Sequence, residues 1–467
     1  MGTVKTVFRL VIFLLVLAIV VYAIPGRILC VDTPGNYSRA RGFYSERAGS
    51  LDAIFVGASN VHAFWQPAVG WNERGIAVYN LSFDSMPIMC FRYLIAEARK
   101  KQPNALFIIN FNAFKNRAAA DTIERFHGIV DYMPMSFEKI RFVNDIGRQS
   151  GFSAMERLEL LFPFIRFHSR WNSLQSWSYG TKEDKYKGSL TKKDYIWKVV
   201  DVTEQYKVYS DAVTEPKDGA KQVLIDLLDY LDREHVNALF VKVPQALRKE
   251  HQGRMNLLEE LLISRGYPCL DLLSEYETIG INPYRDFYNT HHTNVRGALK
   301  VSRKMADYLV ENYHFADKRG QAEYADWDRA GETYDALIDT WILPFEREKN
   351  LWQDLNAPRL KKPVVGENSI QLTWSESEGA DGYVIYRKTS EENDGKWQLL
   401  ATAGADALSY MDEALKANTR YTYCVAPFAD KDGQKAYGNY KIEGVSCRSP
   451  KKLKSGSKQD KPGGDGN

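Results

Sequence analysis

The chain has 467 residues, 44% of them hydrophobic and 26% charged, with a formal net charge of +3 at pH 7. That is longer than one hydrophobic core usually serves, so two or more domains are expected. The near-neutral charge gives no electrostatic footprint for nucleic acid.

In chain order, Lys5 and Arg9 lead into a continuous apolar run from Leu10 to Ile24, closed by Pro25 and Gly26. This pattern predicts an uncleaved signal anchor over residues 1–30, with a cleaved signal peptide as the alternative. The expected location is the cell membrane, single-pass, with the bulk of the chain extracellular. Cys30 follows Arg27-Ile28-Leu29, which lacks the small residue a lipobox needs.

From about residue 50 the pattern becomes α/β. LDAIFVGASN is an apolar strand running into a small-residue turn, and IAVYNLS is a second strand. FRYLIAEARKKQP is a helix stopped by Pro103, and ALFIINFNAF a third strand. AKQVLIDLLDYLDREH, VNALFVKVP, MNLLEELLISRGY and PCLDLLS continue as helix, strand, helix and strand. Strands alternating with helices predict a parallel sheet covered on both faces. Residues 115–205 break the rhythm and read as an insertion containing FHSRWNSLQSWSYG. Residues 315–356 read as a charged helical linker.

Beyond it, NSIQLTWS, GYVIYRKT, WQLLATA and TRYTYCVAPF alternate apolar and polar residues between turn-rich segments. That is the pattern of an all-β sandwich. With Trp374, Tyr383, Tyr421 and the alternation Tyr421, Tyr423, Val425, residues 357–449 resemble a fibronectin type III domain. The tail 450–467, rich in Lys, Gly, Ser and Pro, is expected to be disordered. Of the five cysteines, Cys90 and Cys269 read as small buried residues. Alternation puts Cys424 and Cys447 on the outward face of the last two strands, either bridged across them or as two free thiols.

Three short segments would meet at the carboxyl edge of the sheet, where open α/β folds place their sites. GASN offers Ser59 on a tight turn at a strand end, poised as a nucleophile or, more plainly, as a helix cap. Asn110 and Asn112 share one face of an extended chain, and either amide suits an oxyanion. DFYNTHHTN places Asn289 three residues before His292, at the start of a helix. A metal at this histidine pair finds no third ligand, since His62, His127 and His168 lack ligand spacing.

FVGASNVHAFWQP, GIAVYNLSFDSMP and DFYNTHHTNVRGALKVS together resemble the blocks of the SGNH (GDSL-like) hydrolases, in the membrane-anchored bacterial branch related to cell-surface polymer O-acylation proteins. The resemblance covers residues 50–315 of an expected domain 31–314. It implies a flavodoxin-like parallel sheet with helices on both faces, and no cofactor or metal. It implies Ser59 as nucleophile, His292 as general base, Asn110 or Asn112 as oxyanion donor, and Ser82 in the second block. Asn289 stands where the family carries Asp, so Asp286 on the same loop is the substitute carboxylate. His291 lines the cleft, and Arg170 and Trp171 of HSRW are candidate sugar contacts. The implied function is a serine esterase or O-acyltransferase acting on acetyl groups of a cell-wall or exopolysaccharide. The alternative is an impaired hydrolase that binds polysaccharide or scaffolds a membrane-bound O-acyltransferase.

Overall fold

In the structure, a computed structural model, residues 2–28, 34–116, 118, 122–174, 184–193, 206–207, 209–348, 351–389 and 395–453 are described. Cys30, parts of the 115–205 insertion and the tail from 454 onward lie outside the described residues. The chain divides into two compact units, Met1–Tyr334 and Asp335–Asn467.

The first unit is built on five parallel strands: β1 (Ala53–Gly57), β2 (Val78–Ser82), β3 (Leu106–Asn110), β4 (Ala238–Lys242) and β5 (Cys269–Asp271), in the order β2-β1-β3-β4-β5. β1 to β4 are buried along their whole length, which is why they read as mostly apolar runs rather than alternating ones. The side chains of β1 divide between two cores. Ile54 and Val56 pack with Leu94 and Ile95 of helix Phe91–Arg99 and with Leu224 and Leu228 of helix Ala220–Arg233. Ala53 and Phe55 pack with Val301, Met305 and Leu309 of helix Val295–Tyr313. Register sets Gly57 beside Ser82 and Val56 beside Ile109, so the strands end together at one edge. Because β2 and β3 lie on opposite sides of β1, the connections leaving the sheet diverge there and open a crevice.

The insertion is largely helical where it is described. Ser136 caps helix Phe137–Gln149, and Ser153 with Glu156 forms a capping box on helix Ala154–Leu161. Phe142, Val143 and Ile146 extend the first core.

The expected membrane anchor is corrected. A helix runs from Gly2 to Ile28. No helix among the described residues is long and apolar enough to cross a membrane. The single-pass placement that followed from that anchor falls with it.

In the second unit, strand Arg420–Lys431 pairs with Gly382–Thr389, Gln434–Tyr437 and Val445–Arg448. A separate three-stranded sheet holds Val364–Val365, Ile370–Thr373 and Ser409–Asp412. Tyr421, Tyr423, Val425 and Tyr383 meet Ile370 and Leu372 of the smaller sheet and the adjoining Trp374, which makes the sandwich core. The opposite face of the larger sheet is not open: Val384, Cys424, Ala426 and Phe428 are covered by Leu343, Phe345, Tyr440 and Ile442. Both cysteines are therefore free. Cys447 sits opposite Tyr421, three residues from Cys424, and with a side-chain period of two the thiols belong to opposite faces. The expected linker is divided as well. Tyr324 and Trp327 pack in the first unit, Leu343 and Phe345 in the second.

Candidate active site

Ser59 opens the helix Ser59–Phe64 directly after β1. The turn depends on Gly57, where a Cβ would stand 2.5 Å from Val61 Cγ2 and 2.6 Å from Asn110 Cβ. Only a residue without a side chain lets β1 close against the end of β3 while the chain turns. Ser59 Oγ lies 2.8 Å from His292 Nε2, across 233 residues of sequence.

His292 sits on a short hairpin formed by Phe287–Asn289 and His292–Thr293. Its Nδ1 is 2.9 Å from Asn289 Oδ1, and the same oxygen accepts the backbone N–H groups of His291 at 2.9 Å and His292 at 3.0 Å. Backbone N–H groups only donate, so the atom they meet is the amide oxygen. Nδ1 must therefore carry the proton, which leaves the Nε2 lone pair facing Ser59 Oγ. This is the tautomer a general base needs. Burial, helped by the charges of His291 and Lys192 and opposed by Asp84, pushes the imidazole down to about 4, so His292 is neutral at pH 7.

Asp286 does not act on the histidine. Its carboxylate is fully buried, accepts the N–H of Asn282 at 2.7 Å and pairs with Lys300 Nζ at 2.7 Å. That bond ties the loop to helix Val295–Tyr313. The orienting partner of His292 is Asn289, and the substitute-carboxylate expectation is corrected.

The two asparagines separate. The chain turns into a 3-10 helix at Phe111–Lys115, so Asn112 does not continue the face of β3. Asn112 spends its whole amide on the turn after β4: Nδ2 donates to Val243 O at 2.9 Å and Gln245 Oε1 at 3.1 Å, and Oδ1 accepts Val243 N–H at 2.8 Å. Asn110 Oδ1 accepts from Asn60 Nδ2 at 3.0 Å, whereas its own Nδ2 is buried without a partner. A donor held in place by its other end and otherwise unsatisfied is what a developing oxyanion would require.

Ser82 is corrected too. It is fully buried, its Oγ 3.0 Å from His62 Nδ1, away from the cleft. In the same loop Phe83 N–H is spent on Gly57 O and Asp84 N–H on Asn36 Oδ1. Ser85 instead lines the cleft, with φ at 53°, a left-handed conformation natural to glycine. Holding a serine there stores strain in the wall that Ser59 shares. Arg170 and Trp171 do not reach the cleft: Arg170 stacks on Phe167 at 5.2 Å, and Trp171 is 70% exposed. His291 does line it.

The cleft has a volume of about 790 Å³, and Ser59, Asn110 and His292 share it with Ser85, Lys115, Gln245 and Arg254. Gln245 Oε1 accepts from Asn112 and from Lys115, and Nε2 donates to His291 O at 2.8 Å, which joins three loops. These last residues carry no motif. Only a position after a strand end could have flagged Ser85, Lys115 and Gln245, and Arg254, inside helix Lys249–Ser264, has not even that. Among the described residues no three metal-ligating side chains converge.

No family model matches the chain, and no curated protein does. Among solved structures it is similar over short stretches to the fibronectin type III domain of the human collagen alpha-1(XX) chain (19% identity, 24% of this chain and 99% of that one, TM-score 0.18). It is likewise similar to a Fn3-like protein from Clostridium thermocellum (24% identity, 22% and 100%, TM-score 0.17). A β-1,2-glucanase from Parabacteroides distasonis matches at 22% identity over 22% of this chain, which spans 14% of the glucanase (TM-score 0.17). Likenesses this partial leave the Ser59–His292 cleft to be read from its own chemistry.

Proposed function

We propose that this cleft is the active site of a serine esterase or O-acyltransferase acting on acyl esters, with acetyl as the acyl group and a polysaccharide hydroxyl as the alcohol. The observation that carries the reading is the 2.8 Å contact of Ser59 Oγ with His292 Nε2, beside the unpartnered Nδ2 of Asn110. Ser59 Oγ attacks the ester carbonyl while its proton passes to His292 Nε2, and Asn110 Nδ2 donates to the oxyanion. Collapse breaks the ester C–O bond, and the leaving sugar oxygen takes the proton back from Nε2. The acyl-serine is then opened by water, giving a carboxylic acid, or by another hydroxyl, giving a new ester. In either case His292 deprotonates the incoming oxygen and Ser59 is regenerated. The cleft volume suits such a substrate.

Asn289 favours a second reading, that of a weakened hydrolase retained as a polysaccharide-binding fold. An amide fixes the imidazole but lends no negative charge to the imidazolium. The carboxylate-to-amide change in a serine protease costs about 10⁴ in turnover, an effect attributed there to the wrong tautomer. Here the tautomer is right, so the loss is confined to the missing charge. Labelling by a serine-directed fluorophosphonate and turnover of p-nitrophenyl acetate separate the readings. Both signals should vanish in Ser59→Ala and in His292→Ala. A wild-type chain inert to both reagents across pH 5 to 9 leaves only the binding role.

A further inference from the structure

The wall of the cleft away from Ser59 is built from charge. Its described lining holds Lys115, Arg125, Lys217 and Arg254 against the single carboxylate of Asp218, an excess as large as the formal +3 of the whole chain. The basicity is therefore local. Lys115 comes from the 3-10 turn after β3, and its Nζ meets only a neutral acceptor, Gln245 Oε1, at 3.1 Å. No ion pair engages it among the described residues. Desolvation brings its ammonium down to about 8, so it is still charged at neutral pH. Arg254 is buried, donates to Lys115 O at 3.2 Å and leans on the half-exposed Glu250 at 3.4 Å, while its Nε is buried with no partner.

Two neighbouring histidines feel the same field. His251 and His291 are lowered first by burial and next by the Lys115 charge. A desolvated ammonium beside a guanidinium with an unsatisfied N–H costs free energy in the empty protein unless an anion completes them.

Resting on the acyl-ester reading of the same cleft, we propose that Lys115 and Arg254 form an anion seat, so that the polymer whose ester reaches Ser59 bears a carboxylate or phosphate on a neighbouring unit. An anion there would accept charge-assisted hydrogen bonds from Lys115 Nζ and Arg254 Nε, fixing the position of the chain relative to the nucleophile.

Binding to the Ser59→Ala chain, measured by calorimetry, tests this without any turnover. The probes are an O-acetylated trigalacturonate, an O-acetylated glycerol phosphate oligomer and a neutral O-acetylated xylotriose. At least one charged probe should bind about tenfold or more tightly than the neutral one. That preference should shrink as ionic strength rises. Lys115→Met on the same background should remove most of it, and Lys115→Arg should retain it, which guards against reading a folding defect as a lost contact. Which charged probe wins distinguishes a carboxylate from a phosphate source. Equal affinity for charged and neutral probes, or a preference that survives Lys115→Met, overturns the seat. A chain that binds anions selectively but never labels with fluorophosphonate keeps the seat and loses the hydrolase.

Discussion

Asn289 is the residue on which the chemistry turns. With its oxygen pinned by two backbone N–H groups, it orients His292 correctly, while burial makes the imidazole poorly basic, down to about 4. A base of that strength is deprotonated across the neutral range, so kcat/KM should rise only through about pH 4 and stay flat above pH 5. Asn289→Asp places a carboxylate 2.9 Å from Nδ1. The added charge favours the imidazolium, moves the acid limb toward neutral pH and should raise the plateau turnover by about tenfold or more. A pH–rate profile of both chains decides it.

The same shift makes folding stability depend on pH. A free histidine binds its proton near 6.5 and folded His292 near 4, so the unfolded chain binds the proton first on acidification. The corresponding stability is complete above pH 6.5 and is lost as pH falls toward 4. For the oxyanion, Asn110→Ala should cost roughly 10²–10³ in kcat with KM little changed. Asn112→Ala should lower stability instead, because its amide holds Val243 and Gln245. The two asparagines could not be ranked from sequence. Their spacing is the same kind of signal, and what separates them is a set of partners more than 130 residues away.

At the scale of elements, apolar runs and helix stops located β1 to β4 and the helices Phe91–Arg99 and Ala220–Arg233, because burial leaves a strong compositional trace. The hairpin carrying His292 left none, since strands of two and three residues have no periodicity to detect. In the second block, Ser82 was the residue that the resemblance pointed to, and only φ at Ser85 shows that a residue three places on holds the glycine-like conformation beside the cleft. The small-residue turn after β1 was legible, and the close contacts at Gly57 make its need for a glycine quantitative. Gly57→Ala sets a methyl against Val61 and Asn110, so it should displace Ser59 or Asn110 and cut fluorophosphonate labelling more than it lowers the melting temperature. Asp286→Asn should behave in the opposite way. It weakens the bond from its loop to Lys300 and lowers stability, while the pH limb of His292 stays in place.

For the whole molecule, the alternation of Tyr421, Tyr423 and Val425 was enough to locate a sandwich core. It could not reveal that Leu343 and Phe345, from an apparently charged linker, cover the sheet's other face. The reason is physical: two isolated apolar residues in a polar stretch look like surface until a partner face is known. The molecule thus has separate cores, with all the residues assigned to acyl chemistry drawn from Met1–Tyr334. Trp374 is almost fully buried between the sheets of the second unit. Trp374→Ala leaves a large void there and should cost about 3–5 kcal/mol, more than many small β domains can lose. Calorimetry should then show the loss of one melting transition. If catalysis belongs wholly to the first unit, the rate of Ser59 labelling in the same variant stays at the wild-type value, and a parallel fall in both would mean that the sandwich shapes the cleft.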